Sequence, residues 1–219
     1  MVTTVLSRGP CPSFWQLASR YLDEYLQKIT VATQGLDDEQ LWWRTSSDQN
    51  SIANLMLHLA GNLRLWIGQG QGGDAFDRDR AGEFNAEGDT GPRSRAELLA
   101  HLGAAVGRCR EILESKEGEP LDMPLDIQGY SIDALGALFH AVEHMGYHTG
   151  QIVWIAKHLL GAGHGVEMYP PARRRVIRRA ADSARPRLSR GRAAPSVDGA
   201  PVPTRVARPL PLARCRRGL

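Results

Sequence analysis

Four stretches of this chain repeat their apolar residues every three or four positions, the period of a helix that buries one side. The first, about 13–34, carries Phe14, Leu17, Ala18, Tyr21, Leu22, Tyr25, Leu26 and Ile29 on one face. It opens on a Ser13–Gln16 capping box and ends at Gly35. The second, about 51–69, has the stripe Ile52, Leu55, Met56, Leu59, Leu63, Trp66 and Ile67. Ser51 can cap it, and Gly68, Gly70, Gly72 and Gly73 stop it. The third starts at Ser94 with Glu97, another capping box, and runs to about 115 through Leu98, Leu102, Ala105, Val106, Cys109, Ile112 and Leu113. The fourth begins near Ser131, with Asp133 in its first turn complementing the helix dipole, and continues to about 160 before Gly161 and Gly163. Its stripe is Leu135, Leu138, Val142, Met145, Ile152, Ile155, Ala156 and Leu159. Four helices with apolar faces pack as a bundle, so the expected fold class is all-α, a four-helix bundle.

The connections are less regular. LDDEQLWWR reads as a turn and a short helix that tucks Trp42 and Trp43 against the bundle. Residues 70–93 are rich in Gly, Asp and Arg without a clear period, and a connection this long is often functional or mobile. Leu125 to Tyr130 has an extended character.

Charge divides the chain. Residues 172–219 hold 14 arginines against Asp182 and Asp198, a balance of +12. Residues 1–171 hold 13 basic and 22 acidic residues, a balance of −9. The expected organisation is a helical domain over 1–171 and an Arg/Pro-rich disordered tail over 172–219. Three widely separated cysteines, Cys11, Cys109 and Cys215, form no C-x-x-C pair and suit a reducing cytoplasm. No apolar stretch approaches the roughly 18–20 residues that cross a bilayer, so no membrane role is expected.

The chemistry sits in HAVEHMGYHTGQIVWIAKHL, residues 140–159. Residues four apart on a helix share a face with Cβ atoms about 5–6 Å apart, so two such imidazoles can converge on one divalent ion. His140, His144 and His148 form a row with about 12 Å of rise, too long for one ion to take all three. By spacing the pair is either 140/144 or 144/148, and the remaining histidine lines the cavity. His58, at the edge of the second helix's buried face, is the best-placed third ligand. Asn54 and Asn62 lie one turn before and after His58 and can orient it; Gln151 shares a face with His148. Glu143 points outward, and His101, His158 and His164 fall outside the pattern.

His58 in LMLHLAGN, EHMGYHTGQI at 143–152, SFWQLASRYLDEYLQKI and DDEQLWWR together resemble the DinB/YfiT-like superfamily over about residues 13–170. The resemblance implies a four-helix bundle whose metal ligands are His58, His144 and His148, selecting the 144/148 pair. It implies zinc or nickel as the metal, and a low-molecular-weight thiol as co-substrate of a transferase or isomerase acting on a small molecule. It also implies a homodimer. The arginine-rich tail does not belong to the family pattern. Two alternatives stand beside this reading. One is metal-dependent hydrolysis at the same site. The other is a non-catalytic binding protein whose basic tail contacts nucleic acid; the tail's lack of aromatics and the acidic body argue against it.

Overall fold

The computed structural model describes residues 11–87 and 94–168. They fall within one compact unit, Met1–Pro170. The arginine-rich segment, and with it the expected disorder and any contact with nucleic acid, lies outside the described residues.

Four long helices form the body: α1 (Phe14–Ala32), α3 (Ile52–Leu63), α6 (Arg95–Ser115) and α7 (Ala134–Leu160). α1 and α3 each pack against both α6 and α7, which closes the four into a bundle. The capping boxes expected at Ser13 and Ser94 form, and Ser51 makes a third with Asn54. α3 is the core helix. Apart from half-buried Leu57, every residue in it is buried, as a helix apolar on most of its circumference requires. Among the described residues no helix is long and apolar enough to cross a membrane.

Several boundaries differ from the periodicity, each for a local reason. In α1, Trp15 is buried, its indole Nε1 donating to the Glu119 carbonyl at 3.2 Å, while Tyr21 is exposed. The short helix α2 (Asp38–Trp42) seats Leu41 in the core and leaves Trp43 at the surface. Past Leu63 the helix runs through Gly68, Gly70 and Gly72 and stops only at the last of the four glycines. It continues through a π-helical segment, Arg64–Gln69, and the turn α4 (Gly70–Gly72), ending at Gly73 in the left-handed region. Gly70 and Gly72 are needed there because a Cβ on either would strike Ile127 or Ile112.

α7 starts three residues later than expected. Ser131 and Asp133 belong to a hairpin of β1 (Pro124–Ile127) and β2 (Tyr130–Asp133), and Asp133 is the N-cap of α7, accepting from the Gly136 amide at 2.7 Å. The two-residue turn has Gln128 at φ 54° and Gly129 at φ 76°, the left-handed pair that matches strand twist. Leu135, expected in the stripe, is exposed. The expected Leu138, Met145, Ile152 and Ala156 are buried, joined by Ala134, Ala137 and Ala141, whose small side chains admit close helix approach.

The 70–93 connection contains a further short helix, α5 (Arg80–Asn85), packed on α3, where Asn54 and His58 both reach it. The Asn54 amide donates to the carbonyls of Glu83, Phe84 and Ala86 at 3.1, 3.3 and 2.9 Å. Replacing Asn54 with Val removes the two N–H donors shared among these carbonyls and is expected to cost about 1–3 kcal/mol in urea unfolding. The α5 amides should also exchange faster with deuterium; unchanged stability and exchange would show that Asn54 does not hold the segment.

Candidate metal centre

The His row of α7 faces α3. His58 lies against His144 and His148, with ring centroids 4.9 and 5.1 Å apart, while His144 and His148 are 4.5 Å from each other. One nitrogen from each of the three lies within 4.8 Å of the others, a group that could hold a metal ion. His140 is not part of it. Its ring packs on Trp66, from the π-helical segment, at 4.2 Å. Widened helical turns often mark functional sites, and here the widened turn supplies the ring beside His140.

Each imidazole has a different second contact. His58 Nδ1 lies 2.9 Å from Glu83 Oε2 and 3.1 Å from Arg78 Nη2. Both neighbours cannot be served by the same tautomer. Glu83 is an acceptor, and Arg78 already donates to it through Nε and Nη2 at 2.7 and 2.8 Å. The assignment that satisfies all three groups has His58 Nδ1–H donating to Glu83, leaving a lone pair on Nε2. Burial opposes the charge on Glu83, but hydrogen bonds from His58 and Arg78 outweigh it and hold the carboxyl below its usual range. His148 donates Nδ1–H to Gln151 Oε1 at 2.6 Å, which likewise frees Nε2.

His144 is the strained member. Its Nε2 faces His58 Nε2 at 3.1 Å, and its Nδ1 is buried without a partner. Without a cation, His144 must turn Nε2–H toward His58 to avoid opposing two lone pairs. An orphaned buried nitrogen of this kind costs about 1–3 kcal/mol. Burial, reinforced by His148, His58, His140 and Arg78, pushes the His144 imidazole down to about 3. Burial first also lowers His148, partly countered by the Gln151 hydrogen bond. These rings are therefore neutral at ordinary pH, the state in which imidazole ligates metals.

Glu83 and Arg78 are the residues that sequence reasoning missed, because they lie in the aperiodic 70–93 connection. The signal for them was Gly61, inside an otherwise strong helix and one turn from His58. A Cβ at Gly61 would fall on the Glu83 carboxylate, so the glycine makes room for that side chain to reach His58. The other candidates are placed as follows. Gln151 contacts His148 as anticipated. Asn54 tethers α5 rather than touching the His58 ring, and Asn62 Nδ2 lies 3.5 Å from His140 Nε2. Glu143 is exposed; His158 stacks on Trp154 at the surface; His164 accepts from the Val166 amide; His101 is half-buried, away from the cluster. Cys109 is buried, and desolvation pushes its thiol up to about 12, leaving it inert.

The depressed histidines make metal-free stability pH-dependent. An unfolded His takes a proton near pH 6.5, whereas His144 in the fold resists protonation down to about 3. The unfolded chain thus binds more protons across this window, and stability is lost as pH falls below about 6.5. The urea midpoint of metal-free protein is expected to drop between about pH 7.5 and about pH 5, and His144→Gln should shrink that drop. An identical drop in the variant would contradict the placement of His144.

Comparisons with known proteins agree with this fold. A crystal structure of a conserved protein from Enterococcus faecalis is similar with a TM-score of 0.53 at 18% identity, covering 67% of this chain and 96% of that one, a likeness of fold alone. No curated protein matches. Residues 12–167, which include the helices and all three clustered histidines, match a family described as a protein of unknown function, DUF1572, and the chain belongs to that family.

Proposed function

We propose that this protein is a divalent-metal enzyme of the DinB-like group, in which His58, His144 and His148 hold zinc or nickel and a low-molecular-weight thiol is transferred to a small electrophile. The observation that carries the reading is the convergence of one nitrogen from each of three imidazoles within 4.8 Å, two of them with the outer ring nitrogen already hydrogen-bonded. The close approach of His58 Nε2 and His144 Nε2 is resolved when both lone pairs point at a cation. The ion would supply Lewis acidity and lower the pKa of a thiol beside it. The chain's own residues do the rest. Glu83 fixes the tautomer of His58 and makes its ring a stronger donor; Arg78 keeps Glu83 ionised; Gln151 does for His148 what Glu83 does for His58. Three protein nitrogens leave room for an exogenous ligand, as catalytic sites do. A homodimer, which the resemblance implies, and a cytoplasmic location, read from the widely separated cysteines, belong to the same reading.

The test is metal content by mass spectrometry on untagged protein, with wild type expected to carry one ion per chain and His144→Ala none. Gly61→Ala improves helix propensity yet displaces Glu83, and is expected to weaken metal affinity roughly 10–100-fold. Loaded protein should consume an electrophile such as a haloarene only when a thiol is added. Absence of metal after incubation with zinc or nickel, or turnover in water alone, would contradict the reading.

A further inference from the structure

The outward face of α7 differs from that of its neighbour α6. In α6 six of 21 residues are charged, and no large apolar side chain is exposed. In α7 only two of 27 are, Glu143 and Lys157. Leu135, Phe139, Tyr147 and Trp154 stand out from it into solvent, the three aromatic residues 62%, 61% and 65% exposed. A helix that is apolar on every side belongs in an interior, and a contiguous apolar patch of this kind marks an interaction surface.

The order of residues along the face selects what covers it. Glu143, Tyr147, Gly150, Trp154 and Lys157 follow at spacings of four, three, four and three. That alternation is the seam of a coiled coil, one line of contact held toward a second helix. The two charges lie equally far from Gly150, about 10 Å to either side, and are opposite in sign. Neither makes an ion pair among the described residues. When two copies of α7 cross antiparallel with a two-fold axis at Gly150, each Glu143 meets Lys157 of the second copy and each Tyr147 meets Trp154. Two-fold symmetry makes every such pairing occur twice. A parallel crossing would set Glu143 on Glu143 and Lys157 on Lys157. A Cβ at Gly150 would meet nothing within 4 Å, so the axis falls where the backbones can approach closely. At roughly 150–250 Å² for a whole side chain, the exposed parts of Phe139, Tyr147 and Trp154 from two copies come to about 600–900 Å². With the side chains flanking the seam, the contact reaches the ~1,000 Å² at which specific interfaces begin.

We propose that the outer face of α7 is the interface of a homodimer, two α7 helices crossing antiparallel about Gly150 with reciprocal Glu143–Lys157 pairs. The homodimer of the proposed function follows from the resemblance; this face follows from α7 itself. A cavity of about 420 Å³, lined in part by Tyr147, Gly150, Gln151 and Trp154, opens on the same face. The second copy therefore closes over Gln151, the residue that braces His148.

Sedimentation velocity on the full-length protein tests the face. Wild type is expected to sediment as a dimer at about 20 μM. Gly150→Arg places a long side chain on the axis, in space that is open within the chain, and is expected to be monomeric at the same concentration. Circular dichroism and the urea midpoint check that this variant folds. Glu143→Lys and Lys157→Glu each set like charges across the axis and should weaken dimerisation at least about tenfold; the double exchange should return it to within about threefold of wild type. Wild type that stays monomeric up to about 200 μM overturns the proposal and leaves the face to a different protein or a lipid surface. A dimer that survives Gly150→Arg assigns the interface elsewhere, and a double exchange as weak as the single ones refutes the antiparallel register. Metal content of the same samples keeps the two readings apart. A dimer with these responses that takes up no metal upholds this face and refutes the metal centre; a monomeric wild type carrying one ion per chain refutes this face and leaves the metal centre standing.

Discussion

The contact between Glu83 and His58 is the constraint around which the site is arranged. A carboxylate that is only 10% exposed must be hydrogen-bonded on every side to remain charged, and it is, by Arg78 through two nitrogens and by His58 through one. Placing it there requires a helix with a gap at Gly61, a short helix to carry Glu83, and Asn54 to hold that helix down. Each element is explained by the next. The 70–93 connection is thus not a mere crossover: its centre is a buried polar network folded onto the core helix.

The same network explains how histidines come to lie in an apolar core. Buried polar groups are tolerated when satisfied, and two of the three clustered imidazoles have their outer nitrogens paired. The third has its Nδ1 unpartnered, and its other nitrogen, Nε2, faces His58 Nε2 at 3.1 Å, where an ion between the rings would take it.

The long helices, their capping boxes and the approach of His58 to His144 and His148 were legible in the sequence. Periodicity over twenty residues is a strong signal, and the His spacing together with the resemblance was specific. What escaped it had physical causes. The hairpin before α7 depends on cross-strand pairing between Ile127 and Tyr130, which no local period announces. Leu135 points outward because alanines set the close face of α7, a preference for small residues that hydrophobicity ranks low. Glu83 and Arg78 act at long range from a segment without pattern, and only the misplaced glycine at 61 hinted at them. Asn54 and Asn62 were noticed for their spacing from His58, yet they serve α5 and His140 instead.

The most direct test of the account follows the imidazole nitrogens themselves. Long-range ¹H–¹⁵N correlation spectra of the full-length protein, recorded through a zinc titration, report the tautomer and ligation of every histidine. The account predicts that His58 and His148 show Nδ1–H before zinc is added, that Nε2 of His58, His144 and His148 shift together up to one equivalent, and that His140 does not. Spectra in which His58 stays unchanged, or in which His140 shifts in its place, would contradict the three-histidine centre braced by Glu83.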